Sequence, residues 1–121
     1  MVLLSGPNIA GNEWKYVKDC LDTGWVSSVG SYVDNFEKIT SEFAGTKYAV
    51  ATSSGTTALH ISLILVNVKE SDLVITQNIT FVATLNSIKY TGADPILIDT
   101  DADTWQMDLD LLEKFLEENT F

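Results

Sequence analysis

The residues best placed for chemistry form an apolar run that ends in a turn of small hydroxyl side chains: Ala49-Val50-Ala51-Thr52-Ser53-Ser54-Gly55-Thr56-Thr57-Ala58-Leu59-His60. A strand that enters a helix through such a turn builds a seat for an anion. The first N–H groups of a helix have no acceptor within it, its dipole end is positive, and Ser and Thr hydroxyls add donors without bulk. A phosphorylated small molecule is the guest this pattern suits. The same residues also satisfy a plain structural reading, with Ser53 or Ser54 as an N-cap and Gly55 as a close-packing residue.

Other candidate constellations fall short of their chemistry. Asp99, Asp101 and Asp103 imitate the opening of a calcium loop, but Thr104 stands where glycine is required and Asp110 where glutamate is expected. A solvated acidic turn followed by Asp108 as a helix cap is the simpler reading, and no metal site is assigned. Ser53 or Ser54 with His60 lacks the Gly-x-Ser-x-Gly elbow of a hydrolase, and the Gly-x-Gly-x-x-Gly dinucleotide fingerprint is absent. His60, on an apolar helix, is expected to be a hydrogen-bonded structural residue. Cys20 is the only cysteine, which excludes an intramolecular disulfide, and a buried structural thiol is expected. Asn78-Ile79-Thr80 fits a glycosylation sequon that reads as coincidental without a secretory signal.

Composition narrows the partners. Seventeen acidic residues against seven lysines and no arginine give a net charge of -10, which argues against a nucleic-acid or anionic-membrane surface. One small phosphate is different, because backbone amides hold it without basic side chains. No apolar run approaches a membrane span, and a soluble cytoplasmic protein is expected.

The elements that must position these residues follow from periodicity. Trp14, Val17 and Leu21 recur at helical spacing and give an amphipathic helix ending near Gly24; Val33, Phe36, Ile39 and Phe43 give a second, stopped by Gly45. Strands are then expected at 48–52, 73–76 and 95–99. Helices are expected at 56–66, 82–89 and 109–116, the one from Thr56 apolar nearly all round and therefore deeply buried. Short apolar strands alternating with helices read as α/β with a mainly parallel sheet covered on both faces. In such sheets ligands lie beyond the carboxyl ends of the strands.

Around the turn stand Gly24-Trp25-Val26-Ser27-Ser28-Val29-Gly30, the helix segment Phe36-Glu37-Lys38, Thr80-Phe81-Val82-Ala83-Thr84-Leu85-Asn86 and Pro95-Ile96-Leu97-Ile98-Asp99. In this order and spacing the chain resembles, over nearly its whole length, the N-terminal part of the DegT/DnrJ/EryC1/StrS family. These are sugar-nucleotide aminotransferases that use pyridoxal phosphate. The resemblance implies the N-terminal part of the large domain of the fold type I, aspartate-aminotransferase-like fold, a three-layer α/β/α arrangement that is incomplete here. Residues 1–45 would be N-terminal helices and a substrate loop, and 46–121 a βαβαβα portion. Gly55 and Thr56, with Ser54 beside them, are implied to hold the phosphate of pyridoxal 5'-phosphate, and Phe81 to stack on its pyridine ring. Trp25, Ser27, Ser28 and Gly30 are implied to shape the substrate pocket. The wording Asn12-Glu13-Trp14-Lys15-Tyr16-Val17 and Val26-Ser27-Ser28-Val29-Gly30-Ser31-Tyr32-Val33 is most similar to the branch that aminates a UDP-linked 4-keto-6-deoxy-N-acetylhexosamine. Glutamate is the implied amino donor, a homodimer the implied assembly, and cell-surface polysaccharide or glycan synthesis the implied setting.

Transamination needs a lysine amine and an acid at the pyridine nitrogen, which in the family lie downstream of the matched segment. None of Lys15, Lys18, Lys38, Lys47, Lys69, Lys89 and Lys114 sits in the family's lysine motif. No catalytic residue is therefore assigned, and residues 1–121 alone are expected to be inactive, with cofactor binding expected of the full-length enzyme. In this fold type later strands separate the first strand from the second and third, so the segment should expose strand edges and apolar helix faces. The ending Asn119-Thr120-Phe121 fits the front portion of a longer enzyme. Alternatives are a sugar 3-dehydratase of the same family, with histidine for the lysine, and a stand-alone non-catalytic α/β module binding a phosphorylated ligand. A degenerate protein that pairs with a full-length relative through its sheet edges is a further one.

Overall fold

The computed structural model describes residues 5–119, so the ending at Thr120 and Phe121 lies outside the described residues. The chain divides into two units, one up to Ala51 and one from Thr52.

The first unit holds α1 (Glu13–Thr23) and α2 (Ser31–Ala44). Each ends on the expected glycine in the left-handed region, Gly24 at φ 75° and Gly45 at φ 65°. At Gly45 the chain reverses with the Gly45 N–H donating to the Glu42 carbonyl at 3.3 Å and the Thr46 N–H to Ser41 at 3.0 Å, which satisfies two carbonyls the helix leaves open. Neither helix buries a residue fully, and Cys20, expected to be buried, is only half-buried.

The expected strand at 48–52 is not formed. An extended segment becomes a strand only beside a partner ladder, and none lies beside it among the described residues. The Ala51 N–H donates instead to Glu37 Oε1 of α2 at 2.7 Å.

The second unit contains α3 (Gly55–Leu65), β1 (Leu73–Gln77), α4 (Val82–Tyr90), β2 (Asp94–Ile98) and α5 (Leu109–Glu118), each within two residues of its expected bounds. β1 and β2 pair in parallel, in register from Leu73 opposite Asp94 to Gln77 opposite Ile98, with α4 as the crossover. The buried centre is small: Ile88 of α4, Ala93 at the turn and Ile98 of β2, with Ser87. The Ser87 hydroxyl is satisfied by donating to the Thr84 carbonyl at 2.8 Å. At the return from α4, Gly92 adopts φ 84°, and a Cβ there would stand 3.1 Å from Glu70 Cα. Asp108 caps α5 as expected, accepting from the N–H groups of Asp110 and Leu111, both at 3.0 Å.

Deep burial of α3 is not observed. The helix packs on α4, but Leu59, Ile61, Ile64 and Leu65 are all exposed, Leu65 to 79%. A helix apolar on every face needs cover on every face, and one neighbouring helix supplies only one. His60 also differs from expectation: its ring meets the edge of Tyr90 at 5.7 Å, with no hydrogen bond among the described residues.

Gly45→Ala should cost about 1 kcal/mol for its positive φ alone, and Gly92→Ala about 2 kcal/mol or more because the new methyl also meets Glu70. Urea denaturation of the two variants checks both the order and the gap.

Candidate functional site

At the start of α3, local chemistry sets the geometry. Ser54 is extended, φ -163° and ψ 162°, and its Oγ accepts from the Thr57 N–H at 3.3 Å. Its carbonyl accepts from the Ala58 N–H at 3.0 Å and from the Thr52 hydroxyl at 3.1 Å. The Thr57 hydroxyl lies 3.1 Å from Ser54 Oγ and 3.4 Å from Ser53 Oγ. The Gly55 and Thr56 N–H groups find no acceptor among the described residues, as expected for the first turn. Ser54 thus caps the helix while the two donors ahead of Thr57 remain open. A Cβ at Gly55 would meet nothing within 4 Å, so close packing does not explain this glycine. The donor set and the space above Gly55 fit a phosphate group.

Phe81 follows β1 as the N-cap of α4, φ -67° and ψ 139°, with 79% of its surface exposed. Phe81 thus lies outside the buried centre of the described residues, and a flat apolar ring is presented beyond the strand end. No hydrogen bond or ring contact joins Phe81 to Ser54, Gly55 or Thr56 among the described residues. Two residues not assigned a joint role from sequence tie the strand ends together: Asn78 Nδ2 donates to Asp99 Oδ1 at 2.7 Å. The signal was available, since each apolar strand is followed closely by a short polar side chain.

In the first unit, residues 25–30 join α1 to α2. Trp25, Ser27 and Gly30 line a small cavity of about 80 Å³ with Cys20 and Tyr32, whereas Ser28 is not among its lining residues. Gly30 has φ 150°, and a Cβ on it would lie 3.6 Å from the Trp25 ring.

Several lysines are engaged elsewhere. Lys18 pairs with Asp22, Lys89 with Asp94 at 2.6 Å and Lys114 with Glu118 at 3.9 Å. Lys47 lies 5.0 Å from the centre of the Tyr48 ring. In the acidic turn, Asp101 Oδ1 accepts from the Thr104 hydroxyl and N–H, both at 2.7 Å, and from the Asp103 N–H at 3.2 Å. Those hydrogen bonds, the Thr104 hydroxyl foremost, hold its carboxyl below the usual value of 3.8.

A parallel strand–helix–strand unit preceded by a hydroxyl-lined helix start is the N-terminal part of the large α/β domain of fold type I, as the structural likenesses bear out. The family model described as the DegT/DnrJ/EryC1/StrS aminotransferase family matches residues 7–121, and the chain belongs to that family. It is similar to a GDP-perosamine synthase of Escherichia coli O157:H7, 42% identical over 114 residues that make up 94% of this chain and 31% of that protein. A Streptococcus pneumoniae protein assigned as a sugar aminotransferase, Spr1654, solved in its PLP form, superposes with a TM-score of 0.82 at 34% identity, over 93% of this chain and 29% of that one. The E. coli GDP-4-keto-6-deoxy-D-mannose-3-dehydratase with bound hydrated PLP superposes with a TM-score of 0.79 at 25% identity, over 92% of this chain and 30% of that one. The chain spans about a third of the length of the curated relatives it matches.

The lowered Asp101 value has a signed consequence. Its contribution to stability is fully present above the unfolded value near 3.8 and is lost as pH falls through the lower folded value. Thr104→Val should move the Asp101 titration upward, because the leading hydroxyl bond is gone while the backbone bonds remain. Carboxyl chemical shifts followed against pH check the direction.

Proposed function

We propose that this chain is the N-terminal, phosphate-holding part of a pyridoxal-phosphate-dependent sugar-nucleotide aminotransferase. The observation that carries the reading is the start of α3, where open N–H groups at Gly55 and Thr56 stand beside the Ser53, Ser54 and Thr57 hydroxyls with no side chain over Gly55. Ser54, Gly55 and Thr56 bind the cofactor phosphate. Phe81 covers one face of the pyridine ring and keeps water from it without competing for its protons. When bound, pyridoxal phosphate supplies the electron sink and the carrier for the amino group. The residues of this chain orient that group; the lysine amine and the acid that the reaction requires are not assigned to any of them.

Trp25, Ser27, Ser28 and Gly30 face the sugar nucleotide, with the indole as an apolar wall and the serines as hydrogen-bonding groups. The acceptor is a 4-keto-6-deoxy sugar nucleotide, the UDP-linked N-acetylhexosamine by the wording of the loop and α1; a GDP-linked sugar is the alternative that the name of the E. coli relative supports. Glutamate is the donor, the enzyme is a cytoplasmic homodimer, and the product feeds cell-surface glycan synthesis. The likeness to the 3-dehydratase supports a second reading, in which histidine replaces the catalytic lysine and the sugar loses a hydroxyl instead of gaining an amine. The exposed α3 weighs against a self-contained phosphate-binding module, which would cover its own apolar helix.

The test uses the full-length protein loaded with pyridoxal phosphate. Gly55→Asp places a carboxylate at the phosphate seat and should weaken cofactor retention about 100-fold by like-charge repulsion. Phe81→Ala should weaken it about 10-fold through lost ring contact. Retention by Gly55→Asp equal to the parent's would refute the placement. Amine formation from UDP- and GDP-linked keto sugars, compared side by side, decides the nucleotide, and loss of the 3-hydroxyl without amine formation decides for the dehydratase.

A further inference from the structure

The loop of residues 25–30 has little structure of its own. Among the described residues its backbone bonds lie at its two ends, the Val26 N–H donating to the Gly24 carbonyl at 3.1 Å and the Gly30 carbonyl accepting from the Val33 and Asp34 N–H groups at 2.9 and 3.1 Å, and Ser27 and Ser28 make no hydrogen bond there. Trp25, at 59% exposure, is not anchored by burial. The shape of such a loop is set by its two ends, since fixing the ends removes most of its freedom.

One side chain fixes both ends. Tyr32, in the first turn of α2, stacks its ring against Tyr16 of α1 with centroids 5.5 Å apart and planes tilted by 54°. Its hydroxyl donates to Asp19 Oδ2 at 2.9 Å. Among the described residues these are the side-chain ties from α1 to α2. Asp19 adjoins Cys20, and Cys20 and Tyr32 line the same cavity as Trp25, Ser27 and Gly30. Donation to the Asp19 carboxylate also holds the Tyr32 hydroxyl above its ordinary titration range.

We infer that Tyr32 and Asp19 form a positioning pair, whose hydrogen bond holds the 25–30 loop in the shape that receives the sugar half of the substrate. The inference rests on the loop's role in the proposed function. Tyr32 and Asp19 act through Trp25 and Ser27 and do not themselves touch reacting atoms. Losing the bond leaves the loop with more shapes, and substrate binding then has to select among them.

In the full-length enzyme, Tyr32→Phe keeps the ring and removes the donor; KM for the sugar nucleotide should rise about fivefold while kcat and pyridoxal phosphate retention stay within about twofold. Asp19→Ala should match it, and Asp19→Asn, which keeps an acceptor, should restore most of the loss. An unchanged KM in Tyr32→Phe, or equal losses in Asp19→Asn and Asp19→Ala, would overturn the assignment. A readout independent of turnover is the fluorescence anisotropy of Trp25 in a background where every other tryptophan of the enzyme, Trp14 and Trp105 among them, is replaced by Phe. Faster Trp25 motion on Tyr32→Phe supports the pair, and unchanged motion refutes it. Absence of turnover by the parent on every keto sugar nucleotide would sink the proposed function alone, because the Trp25 measurement still decides whether the pair holds the loop.

Discussion

The second unit depends on the parallel pairing of β1 with β2. Parallel neighbours cannot be joined by a tight turn, so a crossover helix is required, and that helix must lie on the sheet. α4 does so, and Ile88, Ala93 and Ile98 meet there as the buried centre. The return is tight: the Ser71 N–H donates to the Gly92 carbonyl at 3.2 Å and the Asp94 N–H to the Asp72 carbonyl at 2.8 Å. Because both strands run the same way, their carboxyl ends and the polar residues after them emerge at one end of the sheet. The Asn78 to Asp99 hydrogen bond and the presentation of Phe81 follow from that direction.

Apolar surface exceeds what this small centre covers. α3 is apolar almost all round, and of its neighbours among the described residues it packs chiefly on α4. The hydrogen bonds at its first turn do not depend on that cover. Capping by Ser54, the open donors of Gly55 and Thr56, and the hydroxyls around Thr57 are all made within a few residues of sequence. A helix start built from local bonds can therefore be in place on an element whose apolar faces are exposed.

The two candidate sites use different physics. The start of α3 offers fixed backbone donors, which suit a charged group of known shape. The 25–30 loop offers side chains on a backbone with few bonds, so its shape depends on how its ends are held. Tyr32 supplies the holding by pairing a ring contact with a hydrogen bond to the neighbouring helix.

Features decided by neighbours in sequence were legible from it. Gly24 and Gly45 stop their helices because each takes a positive φ that other residues resist, and Ser54 and Asp108 cap theirs because a short oxygen reaches the next free N–H groups. The alternation of short apolar strands with helices was enough to imply β1, β2 and their parallel order. The open N–H groups ahead of Thr57 were readable for the same reason. Tertiary structure alone decided the rest. Whether residues 48–52 are a strand depends on a partner ladder, and burial of α3 depends on elements that pack against it. Glu70 leaves little room for a Cβ at Gly92, and Tyr32 is held by Asp19. Each of those outcomes requires a group distant along the chain or beyond the turn, and no local pattern of residue types encodes where such a group will stand.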